Sequence, residues 1–471
     1  MARSTVADVV VDGLRRAGAS RVFTSRSMRG LVGLEEAFAR HGLSLMRAAT
    51  PAAACVMAAA LGQLDDAPGV VAVDANDVEA ARPGVRYAAD NRAAVIVLTP
   101  VPDAAAATLV KGAVVVDAAS AAHWTAHAAQ LAFKDPRGPV QLVVPDSIQG
   151  EATVPVATAM RPVPSAPEAG ALDDAAAMLG GASHPILITG LECRYGGVAS
   201  WLRPFAEALP APVLTTLGGK GALPDPHPLA LGLLGSPTAR TLVDRADLVV
   251  TIGVDARELP SHGWPETTPT LRMARVAGVD ARHGSLELIG DIALAIEELA
   301  PRLRSRARAD WDVAELDRLE RSGEASARAA GDAMADVVGI ARELTPAGTI
   351  MTVGPVTNMP AVAAAWPAVA PGEFMSCDRD DFALAAAIAI ASRDTRRRVV
   401  CVTRGDVAGL AELDTLARLG APVVVVTFGA ASSAPPPPIV MTTPVDTGDW
   451  RAAIATALLR STPTLIVTGP V

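Results

Sequence analysis

Short runs of consecutive apolar residues recur along the chain, separated by stretches whose apolar positions fall three and four apart. The first kind reads as a strand buried on both faces and the second as an amphipathic helix. Their alternation predicts parallel sheets covered by helices. In the first third the strand candidates are RVFTS, GVVAVD, AAVIVLT and GPVQLVVP. The middle third has HPILITG, APVLTTL, ADLVVTIG and MARVAGVD, and the last third GTIMTVG, RRVVCVT, APVVVVTFG and PTLIVTG. The Pro- and Ala-rich stretch EATVPVATAMRPVPSAPEAG breaks the pattern and reads as a linker. The predicted fold class is α/β, with three successive αβ domains and mostly parallel sheets. Their expected bounds are 1–160, 161–305 and 306–471, the last entered through a charged helical linker at 306–332. The opening MARSTVADVVVDGLRRAGA predicts a capped amphipathic helix with Val6, Val9, Val10 and Leu14 on one face.

Composition narrows the possibilities. A chain of 471 residues is too long for one core. Half of it is apolar while aromatics make up only 3%, so the cores are built from Ala, Val and Leu, and disorder is excluded. A net charge of −9 leaves no electrostatic footprint for nucleic acid. No apolar run is long enough to span a bilayer, and the opening helix lacks the apolar core of a signal peptide. A cytoplasmic protein with no membrane partner is expected. Cys55, Cys193, Cys377 and Cys401 are scattered without paired spacing and read as reduced thiols.

Several segments carry a family resemblance: LRRAGASRVF, AAACVMAAALGQL, NRAAVIVLTP, DPRGPVQLVVPDSIQ and, most specifically, APVLTTLGGKGALPDPHPLALGLLG followed by ADLVVTIGV. Over essentially the whole length the chain resembles the thiamine-diphosphate (ThDP) enzymes of the acetolactate synthase and 2-oxo acid decarboxylase group. The resemblance implies a pyrimidine-binding, a central and a diphosphate-binding domain. It also implies a homo-oligomer, dimer or tetramer, in which the first and last domains pack across a two-fold axis. The Ala-rich helices at Ala52–Leu61 and Phe382–Ala391 have small faces suited to such a contact.

Set against the family's motifs, the cofactor positions have changed. The family's activating Glu falls between Pro51 and Ala53, where neither residue type offers an acceptor. The Gly-Pro-Gly turn of the first domain is Asp74-Ala75-Asn76-Asp77, and the first loop is Ser25-Arg26-Ser27-Met28. In the last domain the opening turn is Gly354-Pro355-Val356-Thr357-Asn358, and the Gly-rich loop is replaced by CDRDDF, residues 377–382. The Gly-Asp-Gly turn survives as Gly405-Asp406, with Arg404 before it or Val407 after it. The metal-ligating Asn falls at Gly429 or Ala430. Pro51, Gly405, Asp406 and Gly429 are remnant positions on this reading. The expectation is that neither ThDP nor Mg²⁺ binds, and that no cofactor replaces them.

The favoured reading of the sequence is a family scaffold reused for small-molecule chemistry without ThDP. Asp77 would face Asp378, Arg379, Asp380, Asp381 and Arg404 across subunits in a carboxylate-rich crevice. Two alternatives stand beside it: a genuine ThDP-dependent decarboxylase or carboligase with diverged motifs, and a non-catalytic scaffolding or regulatory subunit. His123 and His127 have the i, i+4 spacing of a helical metal pair, but no third ligand is recognisable nearby, so no metal is assigned. Neither a G-x-G-x-x-G fingerprint nor a Walker loop is present.

Overall fold

The computed structural model describes residues 4–25, 27–103, 108–259, 268–278, 285–303, 309–329, 331–430, 435–443 and 447–468. Arg26 lies outside the described residues. Three six-stranded sheets follow one another along the chain, and every strand pair within them is parallel. The first contains β1 (Arg21–Thr24), β2 (Ser44–Arg47), β3 (Gly69–Ala72), β4 (Val95–Thr99), β5 (Ala113–Val115) and β6 (Pro139–Val143), in the order β2-β1-β3-β4-β6-β5. The second contains β7 (Pro185–Thr189), β8 (Val213–Thr215), β9 (Ala230–Leu233), β10 (Leu248–Ile252), β11 (Thr270–Ala274) and β12 (Ser285–Ile289), ordered β9-β8-β7-β10-β11-β12. The third contains β13 (Ile350–Val353), β14 (Phe374–Ser376), β15 (Val399–Thr403), β16 (Val423–Thr427), β17 (Val440–Thr442) and β18 (Thr464–Val467), ordered β14-β13-β15-β16-β18-β17.

The three orders share one consequence. In each sheet the chain starts near the middle, moves outward to one side and then crosses to the other. The reversal leaves a crevice at the strand C-termini between β1 and β3, between β7 and β10, and between β13 and β15. Open α/β sheets bind ligands at such switch points.

The opening helix, Val6–Arg16, starts as its sequence requires. Thr5 and Asp8 form a reciprocal capping box, and Val6, Val9, Val10 and Leu14 are all buried. The stretch from 154 to 168 is irregular, and the charged segment forms the helix Val313–Ala329. No helix among the described residues is long and apolar enough to cross a membrane.

The two Ala-rich helices depart from expectation. Pro51–Leu64 and Asp380–Arg393 pack on each other inside one chain and share a core cluster that joins the first sheet to the third. Their small faces are therefore covered within the chain and are not left open to a second subunit. Glycines let other neighbours close in on the Pro51 helix. A Cβ on Gly84, in the helix Val78–Asp90, would collide with the carbonyl of Ala52, and one on Gly69 would collide with that of Ala58.

Candidate functional site

The crevice of the third sheet lies between Gly354, after β13, and Arg404, after β15. Asp380, the first residue of the helix Asp380–Arg393, reaches into it. The Arg404 backbone N–H donates to Asp380 Oδ1 at 2.7 Å. A Cβ on Gly354 would collide with the same carboxylate, so glycine there makes room for it. Beside it, Arg404 Nη1 donates to Thr357 Oγ1 at 2.9 Å, and Asn358 caps the short helix Met359–Ala364. The Gly405–Asp406 turn is closed over its neighbour. The Ala430 N–H donates to Asp406 Oδ1 at 2.7 Å, Thr427 Oγ1 donates to the Gly405 carbonyl, and a Cβ on Gly429 would collide with that carbonyl.

The structure brings only some of the sequence-predicted site residues together. Asp380, Arg404, Gly405, Asp406 and Gly429 share the third crevice. Arg379 and Asp381 form a bidentate pair (2.9 and 2.8 Å) with Arg379 lying over Phe382. Asp378 is exposed, yet partial burial raises its carboxyl pKa, with the neighbouring charges of Asp90 and Asp381 adding to the effect. Asp77 is elsewhere in the chain. It precedes the helix Val78–Asp90, whose far end carries Asp90 beside Asp378, and a helix of 13 residues is about 20 Å long. Within one chain, then, Asp77 does not meet the 378–381 cluster. With Asp74 it lines the first sheet's crevice, where Ser25 Oγ donates to Asp77 Oδ2 (2.6 Å) and Ser27 Oγ donates to Asp74 Oδ2 (3.0 Å).

Carboxylates also fill the second sheet's crevice. Glu258 accepts the N–H groups of Leu191 and Asp255 (both 2.9 Å) and the Thr216 hydroxyl (2.6 Å). Glu192 accepts the Arg275 N–H at 3.3 Å, and burial, reinforced by Asp135, raises its carboxyl to about 7.

Glu412 was not singled out from the sequence. It is 1% exposed, and its carboxylate accepts the Ala49 and Thr50 N–H groups (3.0 and 3.1 Å) at the start of the Pro51 helix. An acid thus does sit at that helix start, but it comes from the third domain and its oxygens are engaged by backbone. Burial raises its pKa against those bonds. In the sequence Glu412 is one of two acids in the mostly apolar stretch GLAELDTLARL, and nothing there sets it apart from Asp414. His123 and His127 stack at 6.4 Å on the helix Ala121–Phe133, and no metal-competent cluster of three or more ligating side chains occurs among the described residues.

The third crevice can be weighed against a diphosphate with its cation. For the anion it offers the first turn of Asp380–Arg393, which has no side-chain cap, and the exposed Arg404 guanidinium. For a cation it offers the carboxylates of Asp406 and Asp380. Mg²⁺ bound to a nucleotide-like diphosphate takes one or two carboxylates and draws its other ligands from phosphate and water. The residue types fit the group, and Asp380 would have to stand in for the Asn side chain as the second protein ligand.

The sequence profile of the thiamine pyrophosphate enzyme central domain matches residues 172–299. The chain is 36% identical over 127 residues to a probable chloroplastic acetolactate synthase 2 of Oryza sativa subsp. japonica, covering 25% of this chain and 19% of that protein. It is 31% identical over 169 residues to a sulfoacetaldehyde acetyltransferase of Alcaligenes xylosoxydans xylosoxydans, covering 34% and 27%. To the acetolactate synthase isozyme 1 large subunit of Escherichia coli (strain K12) it is 28% identical over 198 residues, covering 38% and 34%. These matches therefore span at most about a third of the relatives' own length. In three dimensions the chain superposes over 100% of both chains, with a TM-score of 0.81 and 20% identity, on a putative thiamin diphosphate-dependent enzyme from Mycobacterium smegmatis. That likeness establishes the fold. The expectation of no cofactor is corrected by these findings, because the matching family and the full-length structural neighbour are both thiamine-diphosphate enzymes.

Proposed function

We propose that the chain is a ThDP-dependent decarboxylase or carboligase acting on a 2-oxo acid, a reading supported by the thiamine pyrophosphate enzyme central-domain profile over residues 172–299 and by the full-length fold match. It would work in the cytoplasm as a homodimer or dimer of dimers, with domains at 1–160, 161–305 and 306–471. The observation that carries this reading is the third sheet's switch point, where Asp406, Asp380, Arg404 and an uncapped helix start converge. Bound there, the cofactor would supply a nucleophilic carbon for the carbonyl of the 2-oxo acid. Asp406 and Asp380 would hold the divalent cation, and Arg404 and the first N–H groups of Asp380–Arg393 the diphosphate. Asp77, Asp378, Arg379 and Asp381 would line the approach across the subunit contact.

Calorimetric titration with ThDP and Mg²⁺ tests the assignment without needing a substrate. Saturable, Mg²⁺-dependent binding that is lost in Asp406→Ala supports it. No binding at millimolar cofactor, or binding indifferent to Asp406, defeats it.

A further inference from the structure

Three strand ends of the second sheet converge on the carboxylate of Glu258: Leu191 follows β7, Thr216 follows β8 and Asp255 follows β10. The bond from the Asp255 N–H belongs to a capping box on the short turn Ala256–Glu258 and has a local explanation. The bonds from the Leu191 N–H (2.9 Å) and the Thr216 hydroxyl (2.6 Å) do not, because their donors lie 67 and 42 residues away in the sequence. A Cβ on Gly190 or on Gly218 would collide with an oxygen of the same carboxylate, so glycine at both positions leaves room for it.

Arg194 supplies the opposite charge. Its guanidinium favours the ionised form of Glu258, while its own hydrogen bonds go to neutral groups, the Gly218 carbonyl (2.6 Å) and the Gln63 amide oxygen (2.8 Å). Backbone N–H and hydroxyl donors gathered at a switch point, with a guanidinium beside them, are suited to the phosphate or carboxylate of a bound ligand. Here the oxyanion they hold is the chain's own.

We infer that Glu258 is a built-in occupant of an anion seat in the central domain, an autoinhibitory contact that closes this crevice to anionic ligands while the donors that would hold one stay in place. The seat is separate from the Asp406 crevice, and testing it requires no cofactor.

The test vacates the seat and offers an ion small enough to refill it. Glu258→Ala, in the full chain, is melted by scanning calorimetry in sodium acetate, in sodium chloride at the same ionic strength, and in that chloride with added acetamide. The wild type should melt alike in all three. The variant should melt lower than wild type in chloride and recover in acetate, saturably, by about 3–5 °C at ten times the half-saturating concentration. Acetamide has the shape of acetate without its charge and should recover little. Glu258→Gln, whose side chain still fills the seat, should be destabilised yet gain nothing from acetate. Where Glu258→Ala fails to fold in chloride, its refolding yield should rise with acetate and not with acetamide. An acetate effect absent from Glu258→Ala, matched by acetamide, or as large in the wild type would overturn the inference.

Discussion

Replacing Glu192 by Gln should stabilise the protein, and only at neutral and alkaline pH. Glu192 is 6% exposed in the crevice of the second sheet. Burial, then the Asp135 carboxylate, holds its carboxyl at about 7 against an ordinary 4.5, while the Arg275 N–H and the charges of Arg275 and Arg272 pull the other way. The folded protein therefore keeps a proton that the unfolded chain gives up between pH 4.5 and about 7. Native stability falls as pH rises through that window, and below it nothing is lost. Each tenfold difference in proton affinity is worth about 1.4 kcal/mol, so by pH 8 the group costs about 3 kcal/mol. Gln has the shape of the protonated acid and can still accept the Arg275 N–H. Wild type and Glu192→Gln should unfold together near pH 4. At pH 8 the variant's transition should move up by on the order of 10 °C. Scanning calorimetry across pH reads this directly, following the transition that responds because a chain of three domains need not melt as one. A pH-independent offset, or a variant less stable than wild type at pH 8, would refute the reasoning.

Glu412→Ala removes two charge-assisted bonds to the start of the Pro51 helix, partly offset by relief of carboxylate burial. A loss of about 3 kcal/mol is expected, read as a lower urea midpoint with faster hydrogen exchange at Ala49 and Thr50. Gly84→Ala forces a methyl against the Ala52 carbonyl and should cost about 2 kcal/mol or more by the same measurement. Burial pushes the Cys55, Cys377 and Cys401 thiols up to about 12 and raises Cys193 as well. An aromatic disulfide reagent at pH 8 should leave all four unmodified in the folded protein and label all four in urea. Light scattering at micromolar concentration should give a dimer or tetramer, and a stable monomer would count against the proposed assembly.

The first and third sheets each had four strands legible in the sequence and the second had three, since MARVAGVD overlaps β11 only at Met273 and Ala274; the strands missed outright are all edges. β2, β5, β9, β12, β14 and β17 are flanked on one side only, so they are short and need not be apolar on both faces. Ser44–Arg47 is partly exposed at every position, and Val115 is 51% exposed. The apolar run that betrays a central parallel strand is a consequence of double coverage, and an edge strand does not need it. The site was legible as a set of positions but not as a geometry. Motif spacing put Asp406 and Gly429 at neighbouring strand ends, and they are there. That Asp380 turns into the crevice, while Arg379 and Asp381 pair beside it, depends on where the helix begins. Nor could spacing show that the two Ala-rich helices meet within one chain, since a small-residue face carries no address for its partner.

That meeting has a consequence for how the protein is made. Residues 53–61 and 382–391 are at most 5% exposed, yet they cover each other from positions more than 300 residues apart. At ribosomal rates of ~5–20 residues per second, the second helix emerges roughly twenty seconds to a minute after the first. Throughout that interval the first sheet stands complete with an alanine-faced helix lacking its cover, and nothing in the central domain can supply it. A nascent chain halted after the central domain should therefore bind a chaperone or aggregate where the finished one does not.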